Sequence, residues 1–502
     1  MKATQPPVRT GRGSELFLIL LALIIGMGAY VITDLQVNGE LPANFYLLSF
    51  GMAVLGLGLH LIVRFRAKYA DPLLVPSALV LNGIGLAMIH RIDLARETDL
   101  AERQLMWTAV GVVGACVIIW VLKDHRILRR FTYLAGVSAL LLTLLPLIPG
   151  IGKTINGARI WIFIGPFSLQ PAEFAKILLA VFFAGYLVDN RDRLALAGPK
   201  IFGIHLPRIA DFGPLILIWL AAIGILIMQK DLGTSLLFFG LFVAMLYIAT
   251  QRLSWIIIGG VLFASGAALV VANFSHVQQR FNGWLNAFDN DVYNAVGGSG
   301  QLVSGLFGMA NGGLFGTGLG DGQPHKVPFS YSDFIFPSLG EELGLMGLFA
   351  ILTIYMVFVQ RGFYIAVSTR DGFGKLLASG LAFVFAWQCF VVIGGVTRLI
   401  PLTGLTTPFL AYGGSSLLAN WLIAGLLIRI SDRSRRPEYA MTNPKRSSRP
   451  HDGAPVQSVG KAEMNTEVNQ WVSAQNEQST QIITQLDGAT NILDRKGDRP
   501  NE

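Results

Sequence analysis

Two carboxylates, Asp289 and Asp291, stand two residues apart in a polar segment, 280–342, that is set between strongly apolar runs. A carboxylate near a lipid surface can serve as a general base for a hydroxyl. Desolvation tunes its pKa, and proton removal by a positioned base is worth roughly 10²–10⁴-fold in rate. The bland alternative is a pair of solvated loop acids. The same segment carries two cations suited to a developing negative charge, Arg280 and Lys326. Three more acids lead into the next apolar run: Asp333, Glu341 and Glu342. Neighbours on a helix point in different directions, so at most one of Glu341 and Glu342 is expected to face the interior. Gly316-Thr317-Gly318-Leu319-Gly320-Asp321-Gly322 has no strand–turn–helix frame and is not a dinucleotide fingerprint. Its glycines suit tight turns or close approach to a ligand.

Three further polar clusters interrupt apolar sequence. Gln170-Pro171-Ala172-Glu173-Phe174-Ala175-Lys176 opens one run. Pro171 suits a first helical turn, Glu173 is favoured near the positive helix end, and Glu173 and Lys176 share one face. They read either as an ion pair that lets a span begin, or as part of a groove where Lys176 and Arg159 meet the phosphate of an anionic head group. Gln229-Lys230-Asp231-Leu232-Gly233-Thr234 is a tight turn. Asp231 either caps the next helix or orients a residue of the active segment. In 398–416, Pro401, Gly404 and Pro408 forbid a continuous helix. Broken backbone at membrane depth is tolerated only inside protein or beside a watery cavity. Thr403, Thr406, Thr407, Ser415 and Ser416 supply hydrogen bonds there.

The elements that position these groups are membrane helices. Only 14% of residues are charged and 53% are hydrophobic, against about 25% charged in ordinary globular domains. Runs near membrane-span length make this an all-α polytopic membrane protein with about twelve transmembrane helices, each needing ~20 residues. The expected spans are 14–35, 44–63, 73–89, 104–122, 131–147, 170–188, 212–228, 232–248, 255–272, 334–359, 376–396 and 413–430. Residues 1–13 form a cytoplasmic N-terminus, and the first run is too long for a signal peptide. The excess of Lys and Arg in alternate loops puts both termini in the cytoplasm and the large loop, 273–333, outside. Residues 431–502 are polar and expected to be a disordered cytoplasmic tail with a candidate amphipathic helix at 465–486. The net charge of +8 lies in loops and tail. Orientation and anionic membrane lipid explain it, with no call for nucleic acid. Cys116 and Cys389 sit in apolar runs, which argues against a disulfide or zinc site.

The ordered set of motifs resembles the SEDS family (shape, elongation, division and sporulation). It comprises Gln170-Pro171-x-Glu173-x-x-Lys176, Gln229-x-Asp231-Leu232-Gly233-Thr234, Gly312-Gly313-Leu314-x-Gly316-x-Gly318, Asp333-Phe334-Ile335 with Glu341-Glu342-Leu343-Gly344, and Pro401-x-Thr403-Gly404 continuing to Pro408-Phe409-x-x-Tyr412-Gly413-Gly414-Ser415-Ser416. The likeness covers about 73–430 and leaves two extra N-terminal helices, 14–72, ahead of a ten-helix core. It implies a peptidoglycan glycosyltransferase of the bacterial cytoplasmic membrane that polymerises lipid II. Its base would be an Asp of the outer loop and its leaving group undecaprenyl pyrophosphate. It also implies a class B penicillin-binding protein as transpeptidase partner. The family's Asp-Pro is here Asp289-Asn290-Asp291-Val292-Tyr293, without Pro. Either acid is therefore open as the base, and Asp291 requires the shorter insertion. Ile160 replaces one arginine of the family's Arg-Arg-Trp pattern beside Arg159. Positive charge for the pyrophosphate would come from Arg280, Lys176, Arg159 or a divalent cation, Mg or Mn; no organic cofactor is implied. The alternatives are a lipid II flippase or a non-enzymatic scaffold for a penicillin-binding protein.

Overall fold

The computed structural model describes residues 10–155, 157–165, 167–195, 200–201, 204–205 and 213–437. The part of the expected tail beyond residue 437 and the candidate helix at 465–486 fall outside these residues, as does Asn156. The helices are α1 (Arg12–Asn38), α2 (Phe45–Arg66), α3 (Leu74–Arg96), α4 (Leu100–Val121), α5 (Thr132–Leu144), α6 (Ala172–Ala195), α7 (Gly213–Gln229), α8 (Leu232–Thr250), α9 (Ser254–Asn273), α10 (Ser275–Leu285), α11 (Asn290–Asn294), α12 (Gly300–Gly312), α13 (Ile335–Ser368), α14 (Gly372–Val396) and α15 (Gly414–Arg435). Among the described residues, ten helices are long and apolar enough to cross a membrane. The sequence led us to expect about twelve spans. The two outside that count are α6, whose apolar run includes Glu173, Lys176 and Asp189, and α7, which has 17 residues.

Apolar side chains all round a helix mark burial among other helices. The most enclosed helices are α3, α14 and α15, which form the centre of the bundle. By contrast α9 is almost wholly exposed at the perimeter. The N-terminal α1 lies along α3, and their backbones close to contact at Gly26 and Gly83. A Cβ added at Gly26 would lie 2.9 Å from the Gly83 Cα. Small residues at such crossings let membrane helices pack by dispersion, which lipid alone does not drive.

The all-α expectation misses a small sheet between α5 and α6. Strands β1 (Gly152–Ile155), β2 (Ala158–Ile164) and β3 (Phe167–Leu169) pair antiparallel, with Ile162 opposite both Gly152 and Leu169. The β-branched and aromatic run Ile160 to Ile164 favours a strand, and Ile162 is the residue that β2 buries. A second two-stranded ladder joins β4 (Lys200–Ile201) to β5 (Ile204–His205). The large loop is folded into α10, α11 and α12 rather than being an open glycine field. Helix α15 continues to Arg435, past the expected end at 430. Asp432 holds that last turn down, accepting from the Tyr69 backbone N at 3.0 Å and from Arg436 Nη2 at 2.7 Å.

Candidate functional site

The broken segment between α14 and α15 is the floor of the site. Its carbonyls cannot bond along a helix, so side chains from surrounding elements take them. Gln388 Nε2 of α14 donates to Thr406 O at 3.0 Å, and Gln104 Nε2 of α4 to Ala411 O at 3.0 Å. The Tyr355 hydroxyl donates to Pro408 O, and Arg280 Nη1 to Leu402 O at 3.2 Å and Thr403 O at 3.1 Å. Buried backbone polar groups need such partners. Ser415 Oγ accepts from the Gln170 backbone N at 2.8 Å, and Ser416 Oγ from Asn420 Nδ2 at 3.3 Å. Thr403 contributes its backbone carbonyl.

Arg280 brings the amphipathic α10 onto that floor, and its charge acts on two acids from other elements, Asp231 and Asp333. Asp231 caps α8, accepting from the Thr234 backbone N at 2.9 Å, and also accepts from Gln170 Nε2 at 3.4 Å. Asp333 accepts from Ser332 Oγ at 2.7 Å. Burial pushes both carboxyls above the usual range, and the Arg280 charge pulls both back. Burial in turn lowers the Arg280 guanidinium. Lys176 is fully buried beneath: its Nζ pairs with Glu173 Oε2 and donates to Gln388 Oε1 at 2.7 Å. Lys176 thus reaches the floor through Gln388. Arg159 lies half-buried on β2 and donates to Ile148 O at 3.2 Å. No hydrogen bond or ion pair joins it to Lys176 among the described residues.

Both Glu341 and Glu342 are buried, which corrects the expectation that one would face outward. The reason lies one turn on. Gly344 has φ 67° and ψ −173°, so α13 breaks there and the glycine-rich segment wraps over both acids. Glu341 Oε1 accepts from the Gln323 backbone N at 3.0 Å, and Glu342 Oε2 from Gly320 N at 3.1 Å. Arg91 Nε of α3 meets Glu342 Oε1 at 3.0 Å while its Nη2 donates to Gly322 O at 2.6 Å. These glutamates therefore organise the glycine segment. From the N-terminal helix, Gln36 Nε2 adds a bond to Asp321 Oδ1 at 2.9 Å. Arg96 Nη2 pins the adjoining turn through His325 O at 2.7 Å, leaving the Lys326 side chain exposed.

The two loop acids are exposed and differ in what they hold. Asp289 is the N-cap of α11, with Oδ1 accepting from the Asp291 backbone N at 2.9 Å. The Asp291 carboxylate has no hydrogen-bond or ion-pair partner among the described residues. The turn before α11 is clasped to the start of the broken segment: Trp284 Nε1 donates to Arg398 O at 3.1 Å, and Arg398 Nε to Trp284 O at 2.8 Å. The Arg398 guanidinium carbon lies 5.1 Å from the Phe288 ring centroid. Among the described residues, no hydrogen bond or ion pair links Asp289 or Asp291 to the Arg280 cluster.

Sequence reading missed Arg91, Arg96, Gln104 and Gln388 as positioning groups. The signal was present, since polar residues inside apolar helices are costly and mark internal partners. Among the described residues, no three His, Cys, Asp or Glu side chains converge on a common point.

Residues 72–436 match a family described as the cell cycle proteins FtsW, RodA and SpoVE. The peptidoglycan glycosyltransferase RodA of Mycobacterium tuberculosis is 45% identical over 469 residues, 91% of this chain and 97% of that one. The probable peptidoglycan glycosyltransferase FtsW of Trichlorobacter lovleyi is 32% identical, covering 73% of this chain and 94% of its own. A solved chain from a peptidoglycan synthase complex, described as coordinating polymerization and crosslinking, superposes with a TM-score of 0.60 at 24% identity. That match covers 73% of this chain and 99% of the solved one.

Proposed function

The chain belongs to the FtsW/RodA/SpoVE family and is a peptidoglycan glycosyltransferase, and from that premise we propose how its residues perform the transfer. The substrate is lipid II, and the product is a glycan strand for cell elongation and shape. The acceptor's N-acetylglucosamine 4-hydroxyl attacks C1 of N-acetylmuramic acid in the donor. Asp291 takes the hydroxyl proton, undecaprenyl pyrophosphate leaves, and inversion turns an α link into β-1,4. Asp291 is assigned over Asp289 on one observation. Asp289 is engaged as a helix cap, whereas Asp291 keeps all its lone pairs free on the same short helix. A base must be able to meet the proton it removes.

The neighbours divide the remaining work. Arg280, Trp284 and Arg398 fasten the base-bearing segment to the broken segment. Lys326, exposed beside the glycine segment, is the cation available for pyrophosphate. Lys176, Glu173 and Gln388 hold the floor rather than touch substrate. The Lys and Arg distribution favours an extracytoplasmic site with both termini in the cytoplasm. The partner is a class B penicillin-binding protein that crosslinks the emerging strand, consistent with the synthase complex to which the solved relative belongs. Purified protein in detergent with lipid II alone tests this reading. It predicts a glycan polymer, whereas a flippase or a scaffold gives none.

A further inference from the structure

We propose that the groove between α2 and α4 holds one acyl chain of an anionic phospholipid, with the lipid phosphate on Arg66. The two helices touch at their first turns, where Asn44 Nδ2 donates to Glu102 and a Cβ at Gly51 would meet the Leu105 side chain at 3.1 Å. They touch again at their ends, where Arg66 Nη2 donates to Trp120 O at 2.8 Å and stacks on the indole, 4.4 Å from its centroid. Between these points they part. The space is about 400 Å³, lined by groups such as Leu55, Gly58, Ile62, Val113, Cys116 and Trp120. Known small-molecule sites span about 300–1,000 Å³. The lining side chains offer a hydrocarbon shape and almost no hydrogen bonding, which excludes a sugar and selects a chain.

Gly58 is the second observation. It lies inside α2, where glycine weakens a helix relative to alanine, yet a Cβ there would meet no protein atom within 4 Å. Gly58 lines the groove, so a bulky side chain there would fill the space between the helices without displacing protein. Charge names the head group. Arg66 donates one N–H to Trp120 O, and guanidinium has five donors in a fork that matches a phosphate. Arg64 and Lys123 are exposed at the same helix ends. The neighbouring acid Asp124 is 3.5 Å from Arg433, which partly neutralises it. Helix α2 precedes the family-matched residues 72–436 and α4 lies within them, so the groove forms where the N-terminal addition meets the family core.

The test uses the full-length protein in mild detergent, with native mass spectrometry and added phosphatidylglycerol, phosphatidylcholine or undecaprenyl phosphate. The wild type should retain one phosphatidylglycerol through delipidation. Arg66→Ala should weaken it about tenfold, the scale of one charge-assisted contact, and Arg66→Lys less. Gly58→Trp should abolish retention. Gly28→Trp, placed where a Cβ also meets no neighbour but away from the groove, controls for folding and should retain the lipid. As a second readout, phosphatidylglycerol should protect half-buried Cys116 from a lipid-soluble maleimide, with buried Cys389 as internal control. Equal retention by Gly58→Trp, equal binding of phosphatidylcholine, preferential retention of undecaprenyl phosphate, or no protection of Cys116 would each overturn the proposal.

Discussion

Removing the Arg280 side chain tests how the broken segment and the α10–α11 segment are held together. Arg280→Ala deletes two charge-assisted bonds, to Leu402 O and Thr403 O, each worth about 1.5–3 kcal/mol. It also leaves Asp231 and Asp333 without their shared counter-charge. These losses run through one guanidinium and are not additive. The expected cost is about 2–4 kcal/mol, set mainly by the two lost charge-assisted bonds. Arg280→Lys keeps the charge but not the fork and should lose roughly half of that. Burial raises the carboxyls of Asp231 and Asp333, so their contribution to stability is full at low pH and is lost as pH rises through their folded values. Without Arg280 those values rise further, so the deficit should shrink in acid and grow toward alkaline pH. Adding Asp333→Asn should recover part of it. The assay is thermal unfolding of purified protein in detergent across pH, paired with lipid II polymerisation. Wild-type unfolding and activity for Arg280→Ala, or no recovery in the double variant, would refute the reasoning.

Four further substitutions probe the frame. Gly344→Ala forces a side chain into φ 67° and places a Cβ 2.2 Å from Gly316 N. It should unseat the glycine segment and abolish polymerisation, read alongside proteolysis between α12 and α13. Arg91→Ala leaves Glu342 buried without its partner and should cost about 3–5 kcal/mol, whereas Gln36→Ala, at an exposed bond, should cost under about 1 kcal/mol. Burial pushes the Asp371 carboxyl up, but bonds from His125 and the Gly374 N–H and the Arg126 charge outweigh it and hold it at about 2 against an ordinary 3.8. That stability is present above the ordinary value and lost as pH falls through about 2. Asp371→Asn should therefore lower stability at neutral pH by about 2 kcal/mol, with the deficit vanishing at strongly acid pH.

Helices were legible because apolar runs near span length have few alternatives to α-helix in lipid. The broken segment was legible for the same reason: Pro401, Gly404 and Pro408 cannot continue a helix. The three-stranded sheet was not, because β2 is seven residues long and lies between spans, where its isoleucines passed for loop. The burial of both Glu341 and Glu342 was not legible either. It depends on a backbone reversal at Gly344 that brings Gly320 and Gln323 from upstream in the chain. Sequence left both Asp289 and Asp291 open as the base, with Asp291 favoured by the shorter insertion. Only the fold of α11 distinguishes a cap from a free carboxylate.

The measurement that bears most directly on the account is the rate of lipid II polymerisation by Asp291→Asn and Asp289→Asn, each with unfolding temperature recorded. Asparagine caps a helix about as well as aspartate, so Asp289→Asn should keep near wild-type stability and most of its activity. Asp291→Asn should fold normally, bind lipid II with an unchanged KM, and lose about 10²–10⁴-fold in kcat. Normal turnover by Asp291→Asn, or the larger loss falling on Asp289→Asn, would contradict the assignment.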